Sequence, residues 1–191
     1  MKRHYFSFLF VFIIACTLTG CAQNIVALSY PSLPQSISTQ QQNISVCIVD
    51  FENKRGKSAI GVMQDGRELL PRTPVERWLA SSIAEELKQK GFSISMAETL
   101  SEAIQAKPDY ILFGEAEEVW ICESSFARYT GTVRSSVSLL HGNGEHITKN
   151  SYSSVFSKTA LPMSGIPKKL LDDALFEMFQ PAVKLLIPLL R

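Results

Sequence analysis

The chain has 191 residues, with 19 lysines and arginines against 18 aspartates and glutamates and a formal net charge of +1. No basic excess is present to recruit nucleic acid, and the length suits one domain with a leader and a tether rather than two domains.

The first 21 residues read as an export signal. Lys2 and Arg3 precede an apolar run from Tyr5 to Leu18, followed by Thr19-Gly20-Cys21. The run is too short for a membrane span, which needs about 20 apolar residues. A basic end, an apolar middle and small residues before a cut define a cleavable leader. The Leu18-Thr19-Gly20-Cys21 sequence resembles the lipobox of bacterial lipoproteins, which implies cleavage before Cys21 and a lipid on that cysteine. Ala22 after it implies, by the same resemblance, the outer membrane and its periplasmic face. Without residues 1–21 the chain has 170 residues, in which 17 basic groups face 18 acidic ones. Residues 22–43 carry no charge and are rich in Gln, Ser and Pro, so they predict a flexible tether. Within it, residues 25–30 are apolar enough to dock on the domain.

Residues 44–191 predict one periplasmic domain. Residues 44–51 (ISVCIVDF) form a continuous β-branched run, a strand covered on both faces. Residues 59–64 and 67–70 flank Asp65-Gly66, the signature of a type I′ hairpin. Thr73-Pro74-Val75-Glu76 predicts a capping box opening a helix that Gly91 closes. Its core stripe is Val75, Leu79, Ile83 and Leu87, widened by Trp78, Ala80 and Ala84. Residues 92–96 alternate as a strand, and Thr99–Glu102 caps a short helix. Residues 110–122 predict a long strand. Residues 127–140 predict another, with Val133, Val137 and Leu139 inward and Arg134, Ser136 and Ser138 outward. The turn at residues 141–145 returns it as a strand over residues 146–158. The last helix starts near Pro167, carries Leu171, Leu175, Met178, Ala182, Leu185 and Leu189 on one stripe, and should kink or break near Gln180 because Pro181 lacks a donor. The fold class that follows is α+β in two layers, a mixed sheet with two amphipathic helices on one face.

Candidate sites are few. Cys47 and Cys122 lie in strand-like runs, where a disulfide and two free thiols both fit. His141 and His146 flank a glycine-rich turn with no third metal ligand beside them. Glu115, Glu117 and Glu118 read as a solvated strand face rather than as acid–base partners. Lys54, Arg55 and Lys57 form a basic loop, the place to expect an anionic partner. Nothing in the residues calls for a cofactor.

The leader with Cys21, the Gln/Pro tether, Val49-Asp50-Phe51, Asn53-Lys54-Arg55, Ile60-Gly61, Lys90-Gly91-Phe92 and Pro108-Asp109-Tyr110 together resemble the YajG-like outer-membrane lipoproteins. The order of elements resembles the periplasmic module shared by the N-terminal part of TolB and by CsgG and LpoB. The resemblance implies a recognition module and not an enzyme. Three expectations follow. The first is a non-catalytic, lipid-anchored module that binds an envelope protein or itself, through the sheet face opposite the helices. The second is an auxiliary lipoprotein of an envelope lipid-transport system, which needs an apolar cleft between helices and sheet. The third is a hydrolase, which needs a histidine beside the Glu115–Glu118 carboxylates.

Overall fold

A computed structural model describes residues 24–30, 43–125, 128–159 and 165–190. The leader, Cys21 and residues 31–42 lie outside the described residues. In chain order the elements are β1 (Asn24–Val26), β2 (Ser45–Val49), β3 (Glu52–Asn53), β4 (Gly61–Val62), β5 (Glu68–Pro71), α1 (Val75–Gln89), β6 (Ser93–Ala97), α2 (Leu100–Gln105), β7 (Tyr110–Ser125), β8 (Arg128–His141), β9 (His146–Thr159) and α3 (Ile166–Leu186), with a final 3-10 turn at Ile187–Leu189.

The spine is β7. Along one flank it pairs antiparallel with β8 over its whole length, and β8 pairs antiparallel with β9. Along the other flank three strands follow one another, all parallel to it. β2 lies beside Tyr110–Leu112, β3 beside Glu115 and Ala116, and β4 beside Ile121 and Cys122. β6 extends the sheet beyond β2, while β5 and β1 extend it beyond β4. The sheet is therefore mixed, as expected of a helix crossover followed by hairpins.

One face of the sheet carries α1 and α3. Val46, Ile48, Leu112, Val119, Ile121, Val133, Val137 and Leu139 point into this layer and meet Leu79, Ile83 and Leu87 of α1 and Leu171, Leu175 and Phe179 of α3. The alternate residues Cys47, Val49, Ile111 and Leu140 point the other way and pack on Ala103 of α2. The continuous apolarity of residues 44–51 thus has its expected cause, a strand covered from both sides.

Local chemistry explains the element ends, with three departures from the expectations above. At the end of α1, Gly91 takes φ +91° while Phe92 N–H donates to Leu87 O and Gly91 N–H to Lys88 O, a Schellman closure. At its start the capping box does not form. Pro74 itself occupies the cap position at φ −50°, ψ 135°, which moves Glu76 one place too early to reach back. Glu76 instead accepts from Asn53 Nδ2 at 3.2 Å. The box does form at α2, where Thr99 and Glu102 exchange hydrogen bonds. The β4–β5 hairpin is present, with Gly61 opposite Leu69. Only Gly66 in its turn has positive φ, +82°, and Met63 N–H donates to Arg67 O. That is a three-residue loop with a glycine bulge rather than type I′. Third, α3 runs through Pro181 without a break and ends at Leu186. Pro181 is on the exposed side of the helix. The buried stripe proceeds from Ala182 to Leu186 and Leu190, leaving Leu185 and Leu189 exposed.

The expected tether is shorter than residues 22–43. Residues 24–30 dock, as their apolarity indicated, and they do so as part of the sheet. β1 lies parallel to β5, and Val26 and Leu28 are 7% and 6% exposed. Tyr30 Oη donates to Glu86 at 2.5 Å, and its ring lies 6.5 Å from that of Phe176. Burying two such side chains contributes about 1.5–3 kcal/mol each.

Candidate functional site

The face of the β7–β8–β9 ribbon turned away from α1 and α3 is the candidate site. Even-numbered residues of β8 point to it, because Gly131, Val133 and Val137 point to the helices. Cross-strand partners share a face, so Thr132 brings Val155 with it, Thr130 brings Ser157, and Arg134 brings Ser153. Among the described residues α2 packs on β2, β6 and β7 and α3 packs on the other face. Beyond the end at Leu140, which packs on Ala103 of α2, no helix among the described residues covers the β8–β9 part of the outer face. Val155 is 64% exposed there. Among the described residues β9 also ends the sheet, pairing with β8 alone.

Charged and aromatic side chains on this face are held by their own sheet. Glu115 Oε2 accepts from Lys149 Nζ at 2.8 Å and from Ser136 Oγ at 2.9 Å. Lys149, then Ser136, hold the Glu115 carboxyl below the usual carboxylate range. The strand is bulged between Ala116 and Glu118, so two residues oppose one. Glu117 and Glu118 both reach Arg134 as a result, at 3.3 and 3.2 Å. Lys57 Nζ sits 3.9 Å from the centroid of the Trp120 ring, a cation–π contact.

The residues singled out by sequence fall as follows. The basic loop is engaged within the chain. Lys54 pairs with Glu52, Arg55 donates to Asn53 Oδ1 and to Ala59 O, each at 3.1 Å, and Lys57 covers Trp120. Cys47 and Cys122 are free thiols, the first buried and the second half-buried. Cys47 lies opposite Ile111 on β7, and Cys122 is eleven positions further along that strand. At about 3.3 Å per residue the two are far beyond the reach of a disulfide. His141 stacks on Tyr110, with ring centroids 5.8 Å apart. It lies five positions along β8 from Ser136, the partner of Glu115, or about 17 Å. The histidine and the acidic cluster are therefore not one site. Among the described residues no group of histidine, cysteine or acidic side chains could hold a metal ion, and no helix is long and apolar enough to cross a membrane.

Two features escaped sequence reading. Ser136 and Ser138 point outward as expected, yet both are buried; Glu115 and Lys149, from the two flanking strands, close over Ser136, which no local pattern encodes. The second is a pair of shallow clefts between α1 and β6. One, of about 390 Å³, is lined by Asp50, Arg77, Met96, Glu98 and Glu102; the other, of about 430 Å³, lies beside Lys88, Phe92 and Ile94. Arg77 crosses the first to Asp50 at 2.9 Å and Glu98 at 3.3 Å. By contrast, Leu170, Leu171, Leu175, Met178 and Phe179 fill the space between α3 and the sheet and are at most 2% exposed.

No protein-family model matches the sequence, and no curated protein matches it significantly. In fold the chain is similar to protein XCC0632 from Xanthomonas campestris, of family DUF330, with a TM-score of 0.59, 15% identity, and 87% of this chain and 94% of that chain covered. Weaker likenesses are to the PelC dodecamer from Paraburkholderia phytofirmans (TM-score 0.47, 15% identity, 74% and 91% covered) and to lipoprotein GNA1162 from Neisseria meningitidis (TM-score 0.39, 14% identity, 73% and 99% covered). At these identities the likeness is one of fold.

Proposed function

We propose that this chain is a non-catalytic lipoprotein of the bacterial envelope, anchored through an acylated Cys21 on the periplasmic face of the outer membrane. Its outer sheet face binds another envelope protein or a second copy. The observation that carries this reading is the face and edge of β9, which no other element among the described residues covers or pairs. Thr130, Thr132, Ser151, Ser153, Val155 and Ser157 present a hydroxyl-rich surface around one exposed valine, with a row of unpaired backbone groups beside it. Residues 150–157 (NSYSSVFS) hold no charge to discourage strand addition. The filled interior between α3 and the sheet favours this reading over lipid carriage, and the carboxylates already satisfied by Lys149 and Arg134 favour it over hydrolysis.

The test places a photo-reactive amino acid at Ser153 in the full-length protein and irradiates intact cells. A discrete cross-linked product is expected, and Val155→Arg should abolish it while leaving the thermal unfolding midpoint within a few degrees. If irradiation gives no product, and the protein extracted in mild detergent sediments as a monomer, the binding role is wrong.

A further inference from the structure

The direction of β1 fixes which end of the domain meets the membrane. β1 runs parallel to β5, β5 antiparallel to β4, and β4 parallel to β7. Since β7 runs from Tyr110 to Ser125, β1 runs the opposite way, and Asn24 is its residue nearest the Ser125 end. Asn24 pairs with Leu69, which pairs with Gly61, which pairs with Ile121. Only three peptide steps separate Cys21 from Asn24, and a fully extended chain spans at most about 3.6 Å per step, or about 11 Å. The opposite end of the ribbon, where Tyr110 faces His141, lies eleven positions from Ile121 along β7, about 35 Å away.

The leash stays short because β1 is held. Arg72 N–H donates to Val26 O at 2.9 Å, Arg67 to Asn24 Oδ1 at 3.4 Å, and Tyr30 to Glu86, while Val26 and Leu28 are buried. Peeling away residues 24–30 would be needed to lengthen it. We propose that the end of the domain bearing Asn24, Ile25, residues 63–67 and Arg128 rests on the lipid surface, with the turn at residues 141–146 held away from it. This rests on the acylation of Cys21 proposed above. The chemistry of that end suits a headgroup layer. Ile25 is 47% exposed and Arg128 is exposed. Two of the nearby acids are partnered: Asp65 binds Arg67 at 2.6 Å, and Glu123 accepts the Gln64 N–H at 3.0 Å, while Glu68 is exposed. The domain is thereby oriented by its own first strand rather than swinging on a long tether.

The test uses full-length protein reconstituted in phosphatidylethanolamine–phosphatidylglycerol vesicles containing a phospholipid with a diazirine in its headgroup. After irradiation, mass spectrometry of the digest maps the lipid adducts and, in the same sample, reads the acyl chains on the Cys21 peptide. Adducts at residues 63–67 and Arg128 are expected at least tenfold above those at Asn143. Equal yields at both ends, with Cys21 acylated, would overturn the orientation and leave the anchor standing. An unmodified Cys21 would overturn both. A variant with twenty Gly/Ser residues inserted between Gln23 and Asn24 should lose most of the adduct bias while remaining acylated. If it keeps the full bias, the short leash is not what sets the orientation.

Discussion

Tyr30 shows how one side chain fastens a segment that looks like linker. Its hydroxyl meets Glu86, a buried residue on α1, which also accepts from Gln180 of α3 at 3.4 Å. Tyr30→Phe removes the shorter bond and leaves a buried carboxylate short of a donor, so a loss of about 1–3 kcal/mol is expected in urea unfolding. Glu115 gives a prediction in pH. Its folded pKa is depressed, by Lys149 first and then Ser136. The stabilisation is therefore fully present above the ordinary carboxylate range and is lost as pH falls through the folded value. Glu115→Gln should lower the unfolding free energy at pH 7 by a fraction of a kcal/mol, since the pair is partly exposed, with a matching fall in the urea midpoint, and leave both unchanged near pH 2. An identical midpoint shift at both pH values would mean that the carboxylate charge is not what matters.

At the scale of elements, Thr73 and Thr99 head the same pattern and behave differently. Both precede a residue run with glutamate three places on, yet only Thr99 caps. The difference is Pro74, whose fixed φ suits an extended cap and delays the helix by one residue. Thr99→Ala should therefore cost about 1 kcal/mol, and Thr73→Ala much less, by thermal unfolding. β6, β7, β8 and α1 were legible in the sequence because each carries its own period of two or 3.6, and β2 because its β-branched run is continuously apolar. β1 was only half legible. The apolarity of residues 25–30 marked the segment as able to dock, but its partner β5 is some 45 residues away and no local signal names it. The outer face was harder still. Which of its residues are buried depends on cross-strand pairs and on a bulge at Glu117, and neither leaves a trace in composition. Pro181 misled for a related reason, since the rule for interior proline ignores which side of the helix it occupies. Pro181→Ala should stabilise α3 by about 1 kcal/mol, the regained bond being offset by a freer unfolded chain.

At the scale of the whole molecule, two layers of unequal weight sit on one sheet. The thick layer of α1 and α3 makes the protein stable, and the thin layer of α2 covers β2, β6 and the adjoining ends of β7 and β8. Among the described residues the outer face of β9 and of most of β8 carries no such layer, while the inner face of the same strands packs on α3. Neither thiol bridges anything, so a reducing agent should leave the unfolding midpoint unchanged, within about 1 °C; a fall of several degrees would require a disulfide that the strand positions forbid.

The placement of β1 has a practical consequence for anyone preparing the soluble domain. The obvious cut, at residue 44 where composition turns apolar, would discard Val26, Leu28 and Tyr30 and strip β5 of its neighbour. Such a fragment should express into inclusion bodies or stack through the bared edge, whereas one starting at Ala22 should purify as a well-behaved species.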